Sequence, residues 1–338
     1  MAKVVTFGEI MLRLAPEGYN RFVQAKNYGA TFGGGEANVA VSLAEFGVAT
    51  DFVTKLPAHE IGQAAVNTLR QFGVGTGKIV SGGERVGIYY LEKGAAQRAS
   101  KVIYDRKYSS ISLANSGDFD WKIIFAGAEW FHFTGITPAL GGNLPEICLE
   151  ACKAAKTLGL TVSCDLNYRK NLWSCEDARK TMIKLVEYVD VCIANEEDAS
   201  DVFGITAKNS SLSRLNDEAY ISVADELARR FGFSLTAITL RESISASDNI
   251  WSGLLYDGKT AYTTRKYPIH IVDRVGGGDS FCAGLIYGRL NAFDLQKTLD
   301  FAVAASCLKH SIEGDLNLVS VDEVLKLMQG DGSGRVQR

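Results

Sequence analysis

The chain has 338 residues, of which 34 are glycine and 5 are proline, and its formal net charge is −3. Hydrophobic residues make up 46% and charged residues 22%, which is typical of globular proteins and excludes a disordered or collagen-like chain. This charge balance provides no basic field for nucleic acid, so nucleic acid is not an expected partner.

Short apolar runs alternate with amphipathic segments along most of the chain. The predicted strands lie at residues 4–12, 52–55, 130–134, 161–166, 191–194 and 236–240. The predicted helices lie at residues 36–46, 62–72, 144–158, 176–186, 221–231, 279–290, 295–309 and 321–328. Apolar strands that alternate with helices indicate a mostly parallel sheet covered on both faces.

Two segments depart from this alternation. Residues 86–92 and 102–107 favour strands and are joined by a turn-like stretch without a helix, which predicts a small antiparallel projection. Residues 250–267 predict a hairpin whose turn is Asp257-Gly258. Residues 253–260 also fit the P-loop pattern G-x-x-x-x-G-K-[ST]. Because a P-loop joins a strand to a helix and a strand is predicted here, we reject this match.

The 7 cysteines and 4 histidines show neither C-x-x-C nor zinc-ligand spacing. The cysteines are therefore predicted to be buried, reduced thiols, and a catalytic base is expected to be a carboxylate. No apolar run approaches the ~18 residues of a membrane helix, and the first residues lack a basic signal-peptide head. We therefore expect a cytoplasmic protein without a membrane partner.

Two glycine triplets precede predicted helices. Gly276-Gly277-Gly278 leads into a helix that begins near Asp279, where backbone N–H groups and the helix dipole favour an anion. The spacing allows Asp279 to be either a helix cap or a catalytic base. The other triplet, at residues 33–35, is followed by Asn38. It is either a tight turn or a loop against a polyhydroxylated ligand, for which Asn38 offers a donor and an acceptor.

Taken together, the two triplets resemble the signature regions of the ribokinase/PfkB family of carbohydrate kinases. These are a glycine-rich segment with Asn near the N-terminus and a D-x-x-G-x-G-D segment near the C-terminus, here residues 273–279. Residues 7–9, 165–169 and 194–198 extend the resemblance over essentially the whole chain.

The resemblance implies a ribokinase-like three-layer α/β/α body with a mostly parallel sheet and a small β-rich lid. One kinase domain is expected over residues 1–329, with lid segments inserted at about 14–32 and 85–110. Residues 330–338 are expected to form a flexible tail. In this family such lids often pack against a partner's lid, and exposed strand edges need covering, so a homo-oligomer through the lid is expected.

The resemblance also implies an activity and roles for the second triplet. The activity is ATP-dependent phosphorylation of the terminal hydroxyl of an acid sugar, with 2-keto-3-deoxygluconate as the expected substrate and its 6-phosphate as the product. Asp279 takes the hydroxyl proton, and the N–H groups of Gly276, Gly277 and Gly278 stabilise the transferring phosphoryl group. Mg²⁺ accompanies ATP, and K⁺ is a further expected cofactor near the loop around Asp273, whose backbone carbonyls could bind it.

Other site residues follow from the same resemblance. The predicted sugar-binding residues are Gly34, Asn38, Tyr89, Tyr104, Arg106, Arg169 and Asp315. The predicted nucleotide-binding residues are Asn195, Thr239, Arg241, Gly276 and Gly278. An arginine can bind a carboxylate with paired hydrogen bonds, although most arginines are simply solvated. No direct metal ligand is expected, but Asp198 or Glu197 could reach Mg²⁺ through water. Arg274 could contact either the ATP phosphates or the acid sugar.

Several alternatives remain open at this point. They are a neutral-sugar kinase of the fructokinase or ribokinase type, a kinase for an epimeric keto-deoxy acid, and a non-catalytic sugar-binding regulatory protein. A pure binding protein would have no need of a proton acceptor at Asp279, which argues against the last of these. A dinucleotide-binding enzyme is disfavoured because no G-x-G-x-x-G follows the first strand.

Overall fold

The computed structural model describes residues 3–206 and 217–330. The predicted flexible tail, apart from Gly330, lies outside these residues. The strands of the described residues are β1 (Lys3–Phe7), β2 (Met11–Pro16), β3 (Tyr28–Gly33), β4 (Ala49–Val53), β5 (Lys55–Leu56), β6 (Val80–Ser81), β7 (Gly87–Glu92), β8 (Lys101–Asp105), β9 (Trp130–Thr134), β10 (Thr161–Asp165), β11 (Val191–Ala194), β12 (Leu235–Ser243), β13 (Asp248–Tyr256), β14 (Ala261–Thr263) and β15 (Tyr267–His270).

The α-helices occupy most of the segments between and after these strands. They are α1 (Gly35–Glu45), α2 (Glu60–Gln71), α3 (Trp121–Ile124), α4 (Ile136–Ala139), α5 (Leu144–Thr157), α6 (Cys175–Val186), α7 (Glu196–Phe203), α8 (Asp217–Phe231), α9 (Gly277–Leu290), α10 (Leu295–Lys309) and α11 (Val321–Met328). Two single 3₁₀ turns, Ile111–Leu113 and Ser116–Asp118, precede α3.

The main sheet contains nine strands within the described part of the chain. Strands β4, β1, β9, β10, β11 and β12 lie side by side in this order and are all parallel. The antiparallel β13 follows β12 and pairs with both β14 and β15. This topology confirms the mostly parallel sheet, and the carboxyl ends of its parallel strands meet at one edge, where ligands bind in open α/β sheets.

Helices cover both faces of the main sheet, and each face has its own apolar core. One core packs α5, α6, α7 and α8 against the sheet, and the other packs α1, α9, α10 and α11. Val4 and Val5 of β1 are both fully buried, one in each core, because successive side chains of a strand point to opposite faces. The continuous apolar run of this strand thus reflects burial on two sides.

A second, four-stranded sheet, which we call the lid sheet, has the order β3-β2-β7-β8. β2 pairs antiparallel with β3 and parallel with β7, and β7 pairs antiparallel with β8. All five residues of the edge strand β8 are exposed. The lid sheet corresponds to the small β-rich part expected from the sequence.

The single strand predicted over residues 4–12 is wrong. The chain leaves the main sheet after β1, and β2 belongs to the lid sheet. At Gly8, between them, an added Cβ would lie 2.1 Å from Oε2 of Glu36, so only glycine fits. The apolar pattern continues because Ile10 and Met11 are buried in two further cores, and periodicity alone does not show that the sheet has changed.

The P-loop match lies on β13 and the turn that follows it. Asp257 Oδ1 accepts hydrogen bonds from the N–H groups of Lys259 (2.9 Å) and Thr260 (2.6 Å), and the chain continues into β14 rather than into a helix. The predicted hairpin is therefore confirmed. All seven cysteines lie within the described residues as free thiols, and all except Cys175 are buried. Among the helices of residues 3–206 and 217–330, none combines the length and apolar character needed to cross a membrane.

Candidate active site

A cavity of about 490 Å³ lies at the carboxyl ends of the parallel strands, between the main sheet and the lid sheet. It brings together the candidate residues that the sequence scatters over more than 280 positions. The predicted site residues that line it are Gly34, Asn38, Tyr89, Tyr104, Arg106, Arg169, Asn195, Glu197, Asp198, Thr239, Arg241, Gly276, Gly277, Gly278, Asp279 and Asp315. Arg274, whose role the sequence left open, also lines the cavity.

Asp279 lies in the first turn of α9, and Gly276, not Asp279, occupies the N-cap position. Its side chain is buried and accepts a hydrogen bond from Nδ2 of Asn38 (2.7 Å). Oδ1 of Asn38 in turn accepts the N–H of Gly34 (3.2 Å). The two glycine triplets are thus linked through Asn38 and Asp279, and the cap interpretation of Asp279 is wrong.

The environment of Asp279 favours its protonated form. Burial raises the pKa of its carboxyl to about 7, and the nearby Asp315 and Glu36 act in the same direction, whereas the Asn38 hydrogen bond and Arg169 oppose the shift. A carboxylate with a pKa near the working pH is suited to accept a proton from a hydroxyl group. The geometry therefore places a candidate general base at the wall of the cavity.

The second glycine triplet has room for no larger residue at its first two positions. Gly276 has φ +84°, and an added Cβ would lie 2.0 Å from the carbonyl O of Asp315. An added Cβ at Gly277 would lie 2.5 Å from Cε1 of His310, whereas Gly278 has nothing within 4 Å of that position. The first N–H groups of a helix have no intrahelical acceptor. This backbone can therefore approach an anion closely.

Arg106 and Arg169, the two arginines predicted to bind a sugar carboxylate, differ in their surroundings. Arg106 is buried, and its Nε (2.8 Å) and Nη2 both donate to Oε2 of Glu9. Ser109 Oγ donates to the other oxygen of Glu9 (2.6 Å). Arg169 is exposed to the cavity, bonds to the carbonyl O of Tyr168 (3.3 Å), and has no ion pair within the described residues. Arg169 therefore has the freer guanidinium for an incoming carboxylate.

Asp315 is part of a buried polar network below the cavity. It accepts hydrogen bonds from the Tyr89 hydroxyl (2.5 and 2.7 Å) and from Nη1 of Arg13 (2.6 Å). Nη2 of Arg13 also bonds to Asp273. Burial opposes the charge of Arg13, but Asp315 and Asp273 outweigh it and raise the pKa of the guanidinium. These contacts fix the orientation of Tyr89 and Asp315 at the cavity wall.

Sequence reasoning missed Arg13 and assigned no role to Glu9. Arg13 shares the buried face of β2 with Met11, as the two-residue period of a strand requires. The signal that could have identified Arg13 is a charged residue at a strand position whose side chain the two-residue period predicts to be buried. Glu9 lies just after Gly8 in the segment between β1 and β2, but its contact with Arg106 joins residues 97 positions apart and leaves no local pattern.

The opposite end of the cavity is lined by Thr239 and Arg241 of β12 and by Arg274. Nη2 of Arg274 donates to the carbonyl O of Ala246 (3.0 Å). Burial lowers the pKa of Arg274, and the neighbouring positive charge of Arg241 lowers it further. Two arginines that repel each other in this way form a favourable site for a polyanion.

The two acids near α7 have different surroundings. Asn195 caps this helix, and its Oδ1 accepts the N–H of Asp198 (2.7 Å). Asp198 is buried and accepts the N–H of Tyr168 (2.9 Å), while burial raises the pKa of its carboxyl to about 6. Glu197 is exposed at the cavity. Within residues 3–206 and 217–330, no three His, Cys, Asp or Glu side chains cluster as a metal site.

A buried carboxylate lies beside a glycine-rich helix N-terminus, in a cavity between a parallel sheet and a small lid sheet, and this architecture is that of the ribokinase-like fold. The profile of the pfkB family carbohydrate kinases matches residues 1–319, and the chain belongs to this family. It is therefore a carbohydrate kinase.

Individual relatives are similar over almost the full length. The chain is 54% identical to a crystal structure named 2-dehydro-3-deoxygluconokinase from Thermotoga maritima, with a TM-score of 0.95 and coverage of 97% of this chain and 98% of that one. It is 32% identical to the 2-dehydro-3-deoxygalactonokinase of Haloferax volcanii, over 98% of each chain. A fructokinase with bound ATP from Xylella fastidiosa shares the fold at 21% identity, with a TM-score of 0.77 and coverage of 97% and 98%.

Proposed function

We propose that this kinase transfers the terminal phosphoryl group of ATP to the terminal hydroxyl of 2-keto-3-deoxygluconate, also called 2-dehydro-3-deoxygluconate, to give the 6-phosphate. The observation that carries the choice of an acid sugar is the exposed Arg169, which faces the same cavity as Asp279 and has no ion pair among the described residues. The similarity to the Thermotoga maritima structure supports this particular acid.

The sugar occupies the end of the cavity next to the lid sheet. Arg169 binds its carboxylate, because a guanidinium offers paired N–H donors that a carboxylate accepts. Arg106 and Asp315 are already held by Glu9, Arg13 and Tyr89. They therefore form a rigid wall for the sugar, together with Gly34, Asn38, Tyr89 and Tyr104.

Phosphoryl transfer requires a base at the attacking hydroxyl and stabilisation of the transferring group. Asp279 accepts the hydroxyl proton as the sugar oxygen forms its bond to phosphorus and the bond to the leaving ADP oxygen breaks. The backbone N–H groups of Gly276, Gly277 and Gly278 stabilise the charge that develops during this step, and Gly277 gives up its long hydrogen bond to the carbonyl O of Arg274 (3.4 Å) to do so. The dipole of α9 acts in the same direction.

ATP binds at the arginine-lined end of the cavity, with Thr239 and Asn195 nearby and with Arg241 and Arg274 next to the phosphates. Mg²⁺ supplies neutralisation of phosphate charge when it arrives with ATP. Glu197 is the acid that would hold this ion through water, because the oxygens of Asp198 are engaged by backbone N–H groups.

An assay of ADP release tests this function. With ATP fixed, kcat/KM is compared for 2-keto-3-deoxygluconate, 2-keto-3-deoxygalactonate, fructose, ribose and adenosine. We expect both keto-deoxy acids to exceed the neutral compounds by on the order of 10³-fold, because a site built to bind a charged group rejects analogues that lack it. Turnover of neutral sugars alone would contradict the acid-sugar assignment and leave the kinase activity intact.

The galactonate epimer is a second candidate substrate. The relative from Haloferax volcanii is named for it, and the two acids differ only in the configuration at C4. A higher kcat/KM for the epimer would therefore reassign the C4 preference without affecting the roles of Asp279 and Arg169.

We further propose that the protein forms a homo-oligomer through the lid sheet. Ile103 on its edge strand is 45% exposed and does not line the cavity, and an exposed strand edge that carries an apolar residue is commonly covered by another chain. Analytical ultracentrifugation is expected to show a dimer or larger assembly. A stable monomer at assay concentrations would refute this proposal.

A further inference from the structure

Lys309, the last residue of α10, has no solvent-exposed surface. Its Nζ donates hydrogen bonds to three backbone carbonyl oxygens, those of Gly314 (2.6 Å), Asp273 (3.2 Å) and Ile312 (3.3 Å). Three converging carbonyls satisfy the three donors of an ammonium group. The same kind of ligand set replaces the hydration shell of a monovalent metal ion.

These carbonyls come from two segments that surround the second glycine triplet. Asp273 begins the loop that leads to Gly276, and Ile312 and Gly314 lie between α10 and α11. The N–H of Gly314 donates to Oδ2 of Asp273 (3.2 Å), which holds the segments together. An added Cβ at Gly276 would lie 3.2 Å from Cε of Lys309. The lysine side chain therefore packs directly beneath the N-cap of α9.

The charges around Lys309 balance without any further ion. The carboxylates of Asp273 and Asp315 are buried, and Arg13 forms ion pairs with both. Lys309 supplies the second positive charge, so two cations meet two carboxylates. Burial lowers the pKa of Lys309, whereas Asp273, Asp315 and Asp279 oppose that shift and Arg13 adds to it. An additional cation here would be repelled by both positive side chains.

The resemblance to the kinase family predicted K⁺ near this loop, bound by carbonyl oxygens. The residues present do not fit K⁺, because the ammonium group stands where the carbonyls of both segments converge. We propose that Lys309 takes the place of a monovalent cation, that it positions the glycine triplet for phosphoryl transfer, and that this kinase therefore needs no K⁺. Lys309 is a positioning residue, since it acts through Gly276 and does not line the cavity.

The unchanged protein gives the first test. Activity on the sugar that it turns over is measured at constant ionic strength with chloride salts of K⁺, NH₄⁺, Na⁺ and choline, and thermal unfolding is followed in the same salts. We expect equal kcat values and equal unfolding midpoints in all four salts. Activation specific to K⁺, or an unfolding midpoint raised by K⁺ but not by choline, would overturn the proposal. The unfolding measurement needs no substrate, so its result is independent of the proposed sugar.

Two substitutions give the second test. Lys309→Ala opens a space between the carbonyls, whereas Lys309→Met fills that space without a charge. Without K⁺ both variants are expected to lose about 100-fold in kcat, with little change in KM for the sugar. This is the size of effect expected when an enzyme loses one hydrogen-bond donor to the anion that forms during the reaction. K⁺ or NH₄⁺ should restore kcat and raise the unfolding midpoint in Lys309→Ala but not in Lys309→Met.

Lys153→Ala, on the exposed surface of α5, is the matched control and should show no ion dependence. A folded Lys309→Ala protein that no monovalent cation rescues would overturn the proposal, because a merely structural lysine gives no ion-specific rescue. If Lys309→Ala does not fold, the salt series on the unchanged protein still decides whether this kinase needs K⁺.

Discussion

At the scale of single residues, the site depends on which charged groups are already paired. Arg106 is neutralised by Glu9, and Arg13 by Asp273 and Asp315, so neither presents an unpaired charge to the cavity. Arg169 differs because, within residues 3–206 and 217–330, its guanidinium donates to the neutral carbonyl O of Tyr168 and forms no ion pair. A ligand carboxylate therefore gains most from Arg169, although the sequence alone gave equal weight to Arg106.

We predict that Arg169→Met raises KM for the acid sugar by roughly 10–100-fold with a smaller change in kcat, because a hydrogen bond to a charged group contributes about 1.5–3 kcal/mol. Steady-state kinetics with the sugar and with ATP varied separately would measure this. Arg229→Met, an exposed arginine of α8 paired with Asp225, is the control and should leave both KM values unchanged. Equal KM values for the acid sugar in the two variants would argue against Arg169 as its partner.

At the scale of secondary-structure elements, much of the fold could be predicted because each element carries a local signal. The predicted bounds of β9, β11, α10 and α11 agree with the structure, since apolar strands and amphipathic helices differ in period. The boundary between β1 and β2 could not be predicted in this way. Both strands are apolar, and only the pairing of β1 with β4 and β9, and of β2 with β3 and β7, shows where the chain changes sheets.

The residues of the candidate site also fall into two groups, those that a local sequence pattern predicts and those that it does not. Asp279 and the two glycine triplets could be found because each lies in a short sequence motif whose residues are also close together in the site. Arg13, Glu9 and Lys309 could not be assigned roles from sequence, because their partners lie on other elements. Lys309 looks like an ordinary basic residue at a helix C-terminus, where the dipole favours a cation. Only the converging carbonyls distinguish it.

At the scale of the whole molecule, the site is maintained at the expense of stability. Folding raises the pKa of the Asp279 carboxyl, so the folded state binds this proton more tightly than the unfolded chain. The stability that this proton contributes is fully present below a pH of about 4 and is lost as the pH rises through about 7. At pH 8 the buried charge therefore destabilises the protein.

The most direct measurement of the central claim is the kcat of Asp279→Asn with 2-keto-3-deoxygluconate at pH 8. Asparagine keeps the shape and can accept the Asn38 hydrogen bond, but it cannot take a proton. We predict that kcat falls by about 10²–10⁴-fold while ATP binding is retained. The free energy of unfolding at pH 8 should rise by on the order of 2–4 kcal/mol, with a smaller gain at pH 5. A variant that folds and keeps kcat within about tenfold of the unchanged protein would contradict the assignment of Asp279 as the base.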